Sequence, residues 1–526
     1  MSPARRPRRP PGQALTTFLA AAPTPGLPER AALVDAATKL LSGAYVHLRQ
    51  KQARYGVDPV QQLRVLAGRL IGLTDQRFQD EFSAIFTALR DRHTGYLAPA
   101  PFAGKTAVLP FLVERYHTPS GMPRHVVSKL ADWCPQDHGF SAGVQVTHWN
   151  GVPIGRAVER AAEHQRGATD DARLTRGLNA LVARSLEHGP PPDEEWVTLT
   201  YRSGRDTNQQ SFRWRVIDTA DHDTTRADTA DAALTLAQDP DGQAIQAARR
   251  ELYAPPQPAD PWIPTNRAKI FAARPLNHRH GYLRIWSFAD PDADAVREEA
   301  SRLIRLLPPD GLIVDIRGNP GGNVPTAEQL LQVFTRHHIT PAGFSLANTT
   351  LTLAMSRGDP ELDRWTDSLK LAVGTGEPYS QALPLTNEAQ ANDLPLANRY
   401  PGPVVLIIDA LTYSAADIFA AGFQDNQLGH ILGTSTTTGA GGANVWTAAQ
   451  IAQRLSDIDH QPILPAAGGS FTVAIRRATR VGPRAGLPLE DIGVRAEPVH
   501  RLTHADLTGG NQQLLRTATK LLDPAG

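Results

Sequence analysis

Apolar residues recur at three- and four-residue spacing from about Glu29 to Leu97. They do so in Leu33, Ala36, Ala37, Leu40 and Leu41, and again in Phe78, Phe82, Ile85 and Leu89. That period predicts amphipathic helices, with Asp75 as a cap for the later one. From about Val108 to Val216 the pattern changes to short strands and turns. GVQVTHWNGVPI reads as a strand, an Asn150-Gly151 turn and another short strand. VTLTYRSG and SFRWRVI follow as two alternating runs joined by a polar turn, and residues 156–188 between them read as helix.

Residues 219–268 are rich in Asp, Thr, Ala and Pro and show little periodicity beyond AIQAARREL, which predicts a linker or flap. From Ile270 the chain alternates strand and helix. GYLRIWSF precedes an amphipathic segment carrying Val296, Ala300, Leu303 and Leu307. GLIVDIR and VVLIID are continuous apolar runs, each followed by a helical pattern, and the chain ends in the helix NQQLLRTATKLL. Such alternation predicts an α/β domain whose strands are covered on both faces. The boundaries that follow are 1–28 tail, 29–104 helical domain, 105–218 small β/α domain, 219–268 linker or flap and 269–526 core.

With 526 residues the chain is too long for one core, which agrees with several domains. Its 54 basic and 53 acidic residues leave a net charge of +1, so charge offers no case for a nucleic-acid or membrane partner. No apolar run approaches the roughly 18 residues that span a bilayer. A single cysteine, Cys134, excludes an intrachain disulfide framework and thiolate zinc sites. The opening MSPARRPRRPPGQALTTFLAAAPTPG has the outline of a secretory signal, but its apolar stretch is short and carries two threonines. It is read as a disordered Arg/Pro tail of a cytoplasmic protein, with export as the alternative.

Three segments sit at strand ends, where α/β proteins build sites. Arg317-Gly318-Asn319-Pro320-Gly321-Gly322-Asn323 ends GLIVDIR; its glycines serve either a tight turn or a cleft lined by backbone N–H groups. Ser414, in Thr412-Tyr413-Ser414-Ala415-Ala416-Asp417, is either an ordinary helix N-cap or a nucleophile at a strand-to-helix junction, although GxSxG is absent. Gly439-Ala440-Gly441-Gly442-Ala443 lacks the Lys-Ser/Thr ending of a phosphate loop. Among the 17 histidines no HExxH occurs, so neither metal nor cofactor is expected.

Taken together, GYLRIWSF, GLIVDIRGNPGG, PVVLIIDALTYSAADIFAAGFQDN, HILGTSTTTGAGG and GLPLEDIGV resemble the tail-specific (C-terminal processing) protease family of serine peptidases, which includes the tricorn core peptidase. The resemblance implies a crotonase-like (ClpP/crotonase-type) catalytic core, an N-terminal helical domain and a PDZ-like β/α domain, the last matched by GVQVTHWNGVPI. It makes Ser414 the nucleophile, three residues before the acidic Asp417. The tail-specific branch has a lysine base 25 residues further on; here that position is Gly439, and no lysine lies between Lys370 and Lys520. The tricorn-like branch instead implies His93 as general base and Glu490 as its acid, with neighbouring Asp491 kept open. Arg92 stands where tricorn has a serine.

A serine needs an adjacent base to become nucleophilic, and histidine can take its proton and return it to the leaving amine. The N–H groups of Ala415 and of Gly321 or Gly322 would hold the oxyanion. The expected function is therefore a serine endopeptidase acting on polypeptides through an acyl-enzyme, with homo-oligomerisation left open. The alternative is an inactive binding protein or pseudoenzyme on the same scaffold, taking a peptide or an apolar ligand.

Overall fold

The structure is a computed structural model, and it describes residues 11–219, 236–253, 262–455 and 469–523. The first ten residues of the expected tail, and 220–235 and 254–261 of the expected flap, lie outside the described residues.

A five-stranded sheet forms the centre of the C-terminal half. Its order is Phe271–Pro275, His280–Ile285, Gly311–Asp315, Val404–Ile408 and His430–Gly433, with the first pair antiparallel and the others parallel. The apolar runs seen in the sequence divide by alternation. Leu312, Val314, Leu406 and Ile408 face one core, with Val296, Ala300, Ile418 and Phe419 of the helices Ala293–Arg305 and Ala415–Asp425. Ile313, Val405, Ile407 and Leu432 face the other, under Leu514, Ala518 and Leu522 of the terminal helix Gln512–Leu522. A strand buried on both faces has no polar side, which is why these segments read as unbroken apolar runs.

The N-terminal helices Leu27–Gly43 and Asp75–Ala88 bury Leu33, Leu40, Phe78 and Phe82 in the same core as the first face of the central sheet. A long strand, Ser470–Thr479, ties them in. It pairs antiparallel with Gly95–Leu97, Gly343–Leu346 and Ala443–Thr447, and its Ala474 carbonyl accepts the N–H of Val46 at 2.9 Å. Residues 90–97 are thereby held against the C-terminal half.

Residues 111–213 form a second unit around an antiparallel sheet. Its order is Asp206–Arg213, Trp196–Ser203, Gln145–Trp149, Pro123–Leu130 and Phe111–His117. Asn150 and Gly151 have φ of 48° and 76° and join Gln145–Trp149 to Val152–Pro153, the two-residue turn that Asn-Gly favours. The single helix expected over 156–188 is two, Ile154–Glu163 and Asp170–Ala180, with Gly177 allowing their close approach: a Cβ there would lie 2.7 Å from the Ala162 nitrogen.

The tail expectation needs correction over its described part. Gln13–Ala14 pairs with Arg215–Asp218, and Leu15 and Phe18 of the helix Leu15–Ala20 are buried in the core of the second unit. Spacing of three residues puts both on one helix face, so even six residues find cover. In the expected flap, Leu236–Gln238 is a strand and Pro240–Leu252 a helix that buries Ala247 and Ala248. No described helix is long and apolar enough to cross a membrane.

Candidate active site

Ser414 begins the helix Ala415–Asp425 directly after the strand Val404–Ile408 and a short turn. It is not an ordinary N-cap: its φ of 66° and ψ of −121° are far from the usual cap geometry, and its side chain makes no cap hydrogen bond. A non-glycine residue held at positive φ stores strain, and the hydroxyl is directed elsewhere. That direction is His93, whose Nε2 lies 2.6 Å from Ser414 Oγ. The two residues are 321 positions apart and both are fully buried.

Three contacts position His93. Thr94 Oγ1 accepts the N–H of Ala474 at 3.1 Å, the strand Gly95–Leu97 follows, and the His93 ring lies 4.7 Å from the Tyr413 ring. Burial, against the opposing charges of Asp91 and Asp239, pushes the imidazole down to about 4, so at neutral pH it is uncharged and able to accept a proton. The arrangement has a nucleophile and a base in hydrogen-bond contact.

The acid beside His93 differs from the expectation. Glu490 does not pair with His93: its Oε1 accepts from Lys51 Nζ at 2.6 Å, and its Oε2 is 4.0 Å from His47 Nδ1. Asp491, the other residue left open, also binds Lys51 Nζ at 2.6 Å and accepts from the Tyr55 hydroxyl at 2.8 Å. The physical reason is the ammonium of Lys51, buried completely between the two carboxylates. Burial, reinforced by the charges of Asp91 and Asp491 and opposed by Lys51, raises the Glu490 carboxyl well above the usual range.

Asp91 takes the position instead. Its Oδ1 accepts the backbone N–H of His93 at 2.8 Å and lies 3.8 Å from His93 Nδ1. Its Oδ2 accepts from the Tyr45 hydroxyl at 3.0 Å and is 3.1 Å from His47 Nδ1. Burial disfavours the charge of Asp91, but the His47 hydrogen bond and the neighbouring charges of His47, Lys51 and His93 outweigh it and hold the carboxyl far below its ordinary range. Asp91 was legible only as the first residue of DRH, the acid two positions before His93; nothing local in the sequence shows that it lies beside the imidazole.

The glycine segments have separable roles. Gly321 donates its N–H to Asn319 Oδ1 at 2.9 Å, so this donor is already committed and Gly321 is corrected as an oxyanion candidate. Gly322, at φ 150°, approaches Phe288 so closely that a Cβ would lie 2.0 Å from the Phe288 carbonyl carbon. Ala415 remains as an oxyanion candidate, being the first residue of the serine's helix, where amides are unpaired, whereas Gly322 lies in a strand ladder opposite Ala237. Gly439 and Gly441 make room for Tyr413, since a Cβ would lie 2.7 Å and 2.0 Å from its ring. Asp417 Oδ2 accepts the N–H of Gly441 at 2.9 Å and so anchors that loop to the serine helix.

His47, Asp91 and Glu490 bring ligand-type atoms within 4.8 Å of one another. The Lys51 ammonium already neutralises this cluster through Glu490, and Asp91 is committed to Tyr45 and His93, so the donor set is poorly suited to a cation.

Residues 279–456 match the profile of peptidase family S41. No curated protein matches by sequence. Among solved structures, mature CPAF is 17% identical over 95% of this chain and 99% of its own, with a TM-score of 0.66. A mutant of CPAF gives 17% identity over 95% and 99%, with a TM-score of 0.68. A photosystem II D1 C-terminal processing protease is 14% identical over 90% of this chain and 93% of its own, at a TM-score of 0.39. Residues 279–456 thus carry the match to peptidase family S41, and the chain as a whole shares the fold of mature CPAF.

Proposed function

We propose that the chain is an endopeptidase that cleaves polypeptides through an acyl-enzyme on Ser414, with His93 as general base. The observation that carries this reading is the 2.6 Å separation of His93 Nε2 and Ser414 Oγ. In the first step neutral His93 takes the hydroxyl proton as Oγ attacks the scissile carbonyl carbon. The imidazolium so formed lies 3.8 Å from the Asp91 carboxylate, whose charge steadies it through space. Negative charge developing on the carbonyl oxygen falls to the N–H of Ala415, and the N-terminal end of the serine helix favours it. His93 then gives its proton to the leaving amine, and water repeats the sequence to release the acid.

This account needs no lysine base: Gly439 stands at that place, and Lys51 is bound to Glu490 and Asp491. The unit at 105–218 is proposed to be PDZ-like and to present polypeptide ends, since such units add an extended peptide to a sheet edge. The test is hydrolysis of unfolded casein by the full chain beside its Ser414→Ala and His93→Ala variants. Turnover by the wild type alone supports the reading. Equal turnover by folded Ser414→Ala would end it.

A further inference from the structure

Two arginines flank the serine and the histidine, and the account of hydrolysis uses neither. Arg92 directly precedes His93, and Arg176 lies over the ring of Tyr413, 5.0 Å from its centroid, where Tyr413 directly precedes Ser414. Both are about 5% exposed. They close on one carboxylate. Asp239 accepts from Arg92 Nε and Nη2, both at 2.9 Å, and from Arg176 Nη1 at 3.3 Å.

The route by which Asp239 arrives is informative. Leu236–Gln238 runs antiparallel to Gly321–Asn323, with Ala237 opposite Gly322 and Gln238 opposite Gly321. The next residue, Asp239, donates its N–H to the Pro320 carbonyl at 2.9 Å and turns its carboxylate into the two guanidiniums. A segment of this chain thus lies along the edge of the glycine strand, where an extended peptide would be added. It places an acidic side chain one residue beyond the ladder.

The pocket has donors to spare. Among the described residues Arg176 Nε and Nη2 have no hydrogen-bond partner although the side chain is buried. Arg166 is a third cation beside it, bound among the described residues to the carbonyls of Thr94 and His188. Against these stand Asp239 and Asp241, both from the same segment, and Asp241 bonds Arg92 Nη2. Glu187 is near, but its carboxylate accepts the N–H of Gly104. Burial, added to by the charge of Arg92 and opposed by Asp239 and Asp241, lowers Arg176 to about 10. Arg92, Arg166, Arg176, Asp239 and Asp241 line one cavity of about 960 Å³. Buried guanidiniums in this number are costly unless a carboxylate meets them.

We propose that Arg92 and Arg176 form a carboxylate-recognition subsite of the peptidase, filled here by Asp239 and taking an acidic side chain or a terminal carboxylate of a polypeptide substrate. The proposal rests on the peptidase reading for its place beside the scissile bond, but not for its binding chemistry. Planar guanidiniums suit a carboxylate because two parallel N–H groups meet its two oxygens.

The test uses the full chain with Ser414→Ala, to prevent cleavage, and Asp239→Asn, which removes the internal charge but keeps an equally good N-cap. Three acetylated peptides are titrated by calorimetry: Leu-Ala-Gln-Asp amide, Leu-Ala-Gln-Asn amide and Leu-Ala-Gln-Gly with a free carboxyl. The proposal expects one or both carboxylate peptides to bind about tenfold or more tightly than the Asn amide. The peptide that does so identifies the source as side chain or terminus. Arg176→Met in the same background should abolish the difference. Equal affinity of all three, or binding by none, overturns the proposal. Because the comparison is made without catalysis, it fails independently of the peptidase reading, which is judged by the reactivity of Ser414 in the otherwise wild-type chain.

Discussion

Replacing Asp91 by Asn removes one charge and turns the oxygen beside Tyr45 and His47 into an amide donor. The side chain keeps its shape, an oxygen remains for the backbone N–H of His93, and the group stays buried. What is lost is the attraction between a carboxylate and the imidazolium that forms during acylation. The closest approach is 3.8 Å, from Asp91 Oδ1 to His93 Nδ1. At an effective dielectric of about 20, two unit charges at that distance attract by about 4 kcal/mol. The ground state, with His93 neutral, does not feel this term, so the loss falls on the transition state and lowers kcat by about a thousandfold. The assay is kcat and kcat/KM on a labelled polypeptide for wild type, Asp91→Asn and Glu490→Gln, each checked for folding by thermal melting. Glu490→Gln should be much the milder change in rate, because Glu490 meets Lys51 and not His93. A folded Asp91→Asn enzyme within about tenfold of wild type, beside a crippled Glu490→Gln, would refute the argument and return the acid role to Glu490.

Three further outcomes follow from the same cluster. His93 works as a neutral base and is pushed down to about 4 by burial, so kcat/KM should stay level from neutrality to about pH 5 and fall as pH drops through about 4. An acid limb centred near the ordinary histidine value of about 6.5 would contradict the burial of the site. Stability should fall between about pH 6.5 and about pH 4, because over that range the unfolded chain binds a proton that folded His93 refuses. Lys51→Met strands Glu490 and Asp491 in the interior without their cation, and should cost about 3 kcal/mol or more in urea unfolding. An unchanged unfolding midpoint would contradict the account of that ion cluster.

The strands and helices of the C-terminal half were legible because local patterns specify them. GLIVDIR and VVLIID could only be strands covered on both faces, and the structure divides their side chains between two cores. Ser414 and His93 were singled out by resemblance, one motif at a time, since nothing in either segment states that residues 321 positions apart come together. That contact depends on Gly95–Leu97 pairing with Ser470–Thr479, a long-range register that local periodicity cannot carry. The lysine gap between 370 and 520 directed attention away from lysine, yet Lys51, 439 residues before Glu490, is the cation that takes Glu490 out of His93's reach. Leu15 and Phe18 were passed over because a six-residue apolar stretch with two threonines is too weak to predict a packed helix. Asp239 sits in a stretch read as linker, where its pairing with Arg92 and Arg176 has no sequence signal at all.

The central claim is an activated serine with His93 as its base. Intact-mass analysis of the full chain treated with a fluorophosphonate tests it most directly, beside Ser414→Ala and His93→Ala. The account predicts one adduct on the wild type, mapped to the peptide containing Ser414, absent from Ser414→Ala and formed far more slowly on His93→Ala. A folded wild-type protein that takes no adduct, or one that Ser414→Ala takes equally well, would contradict it.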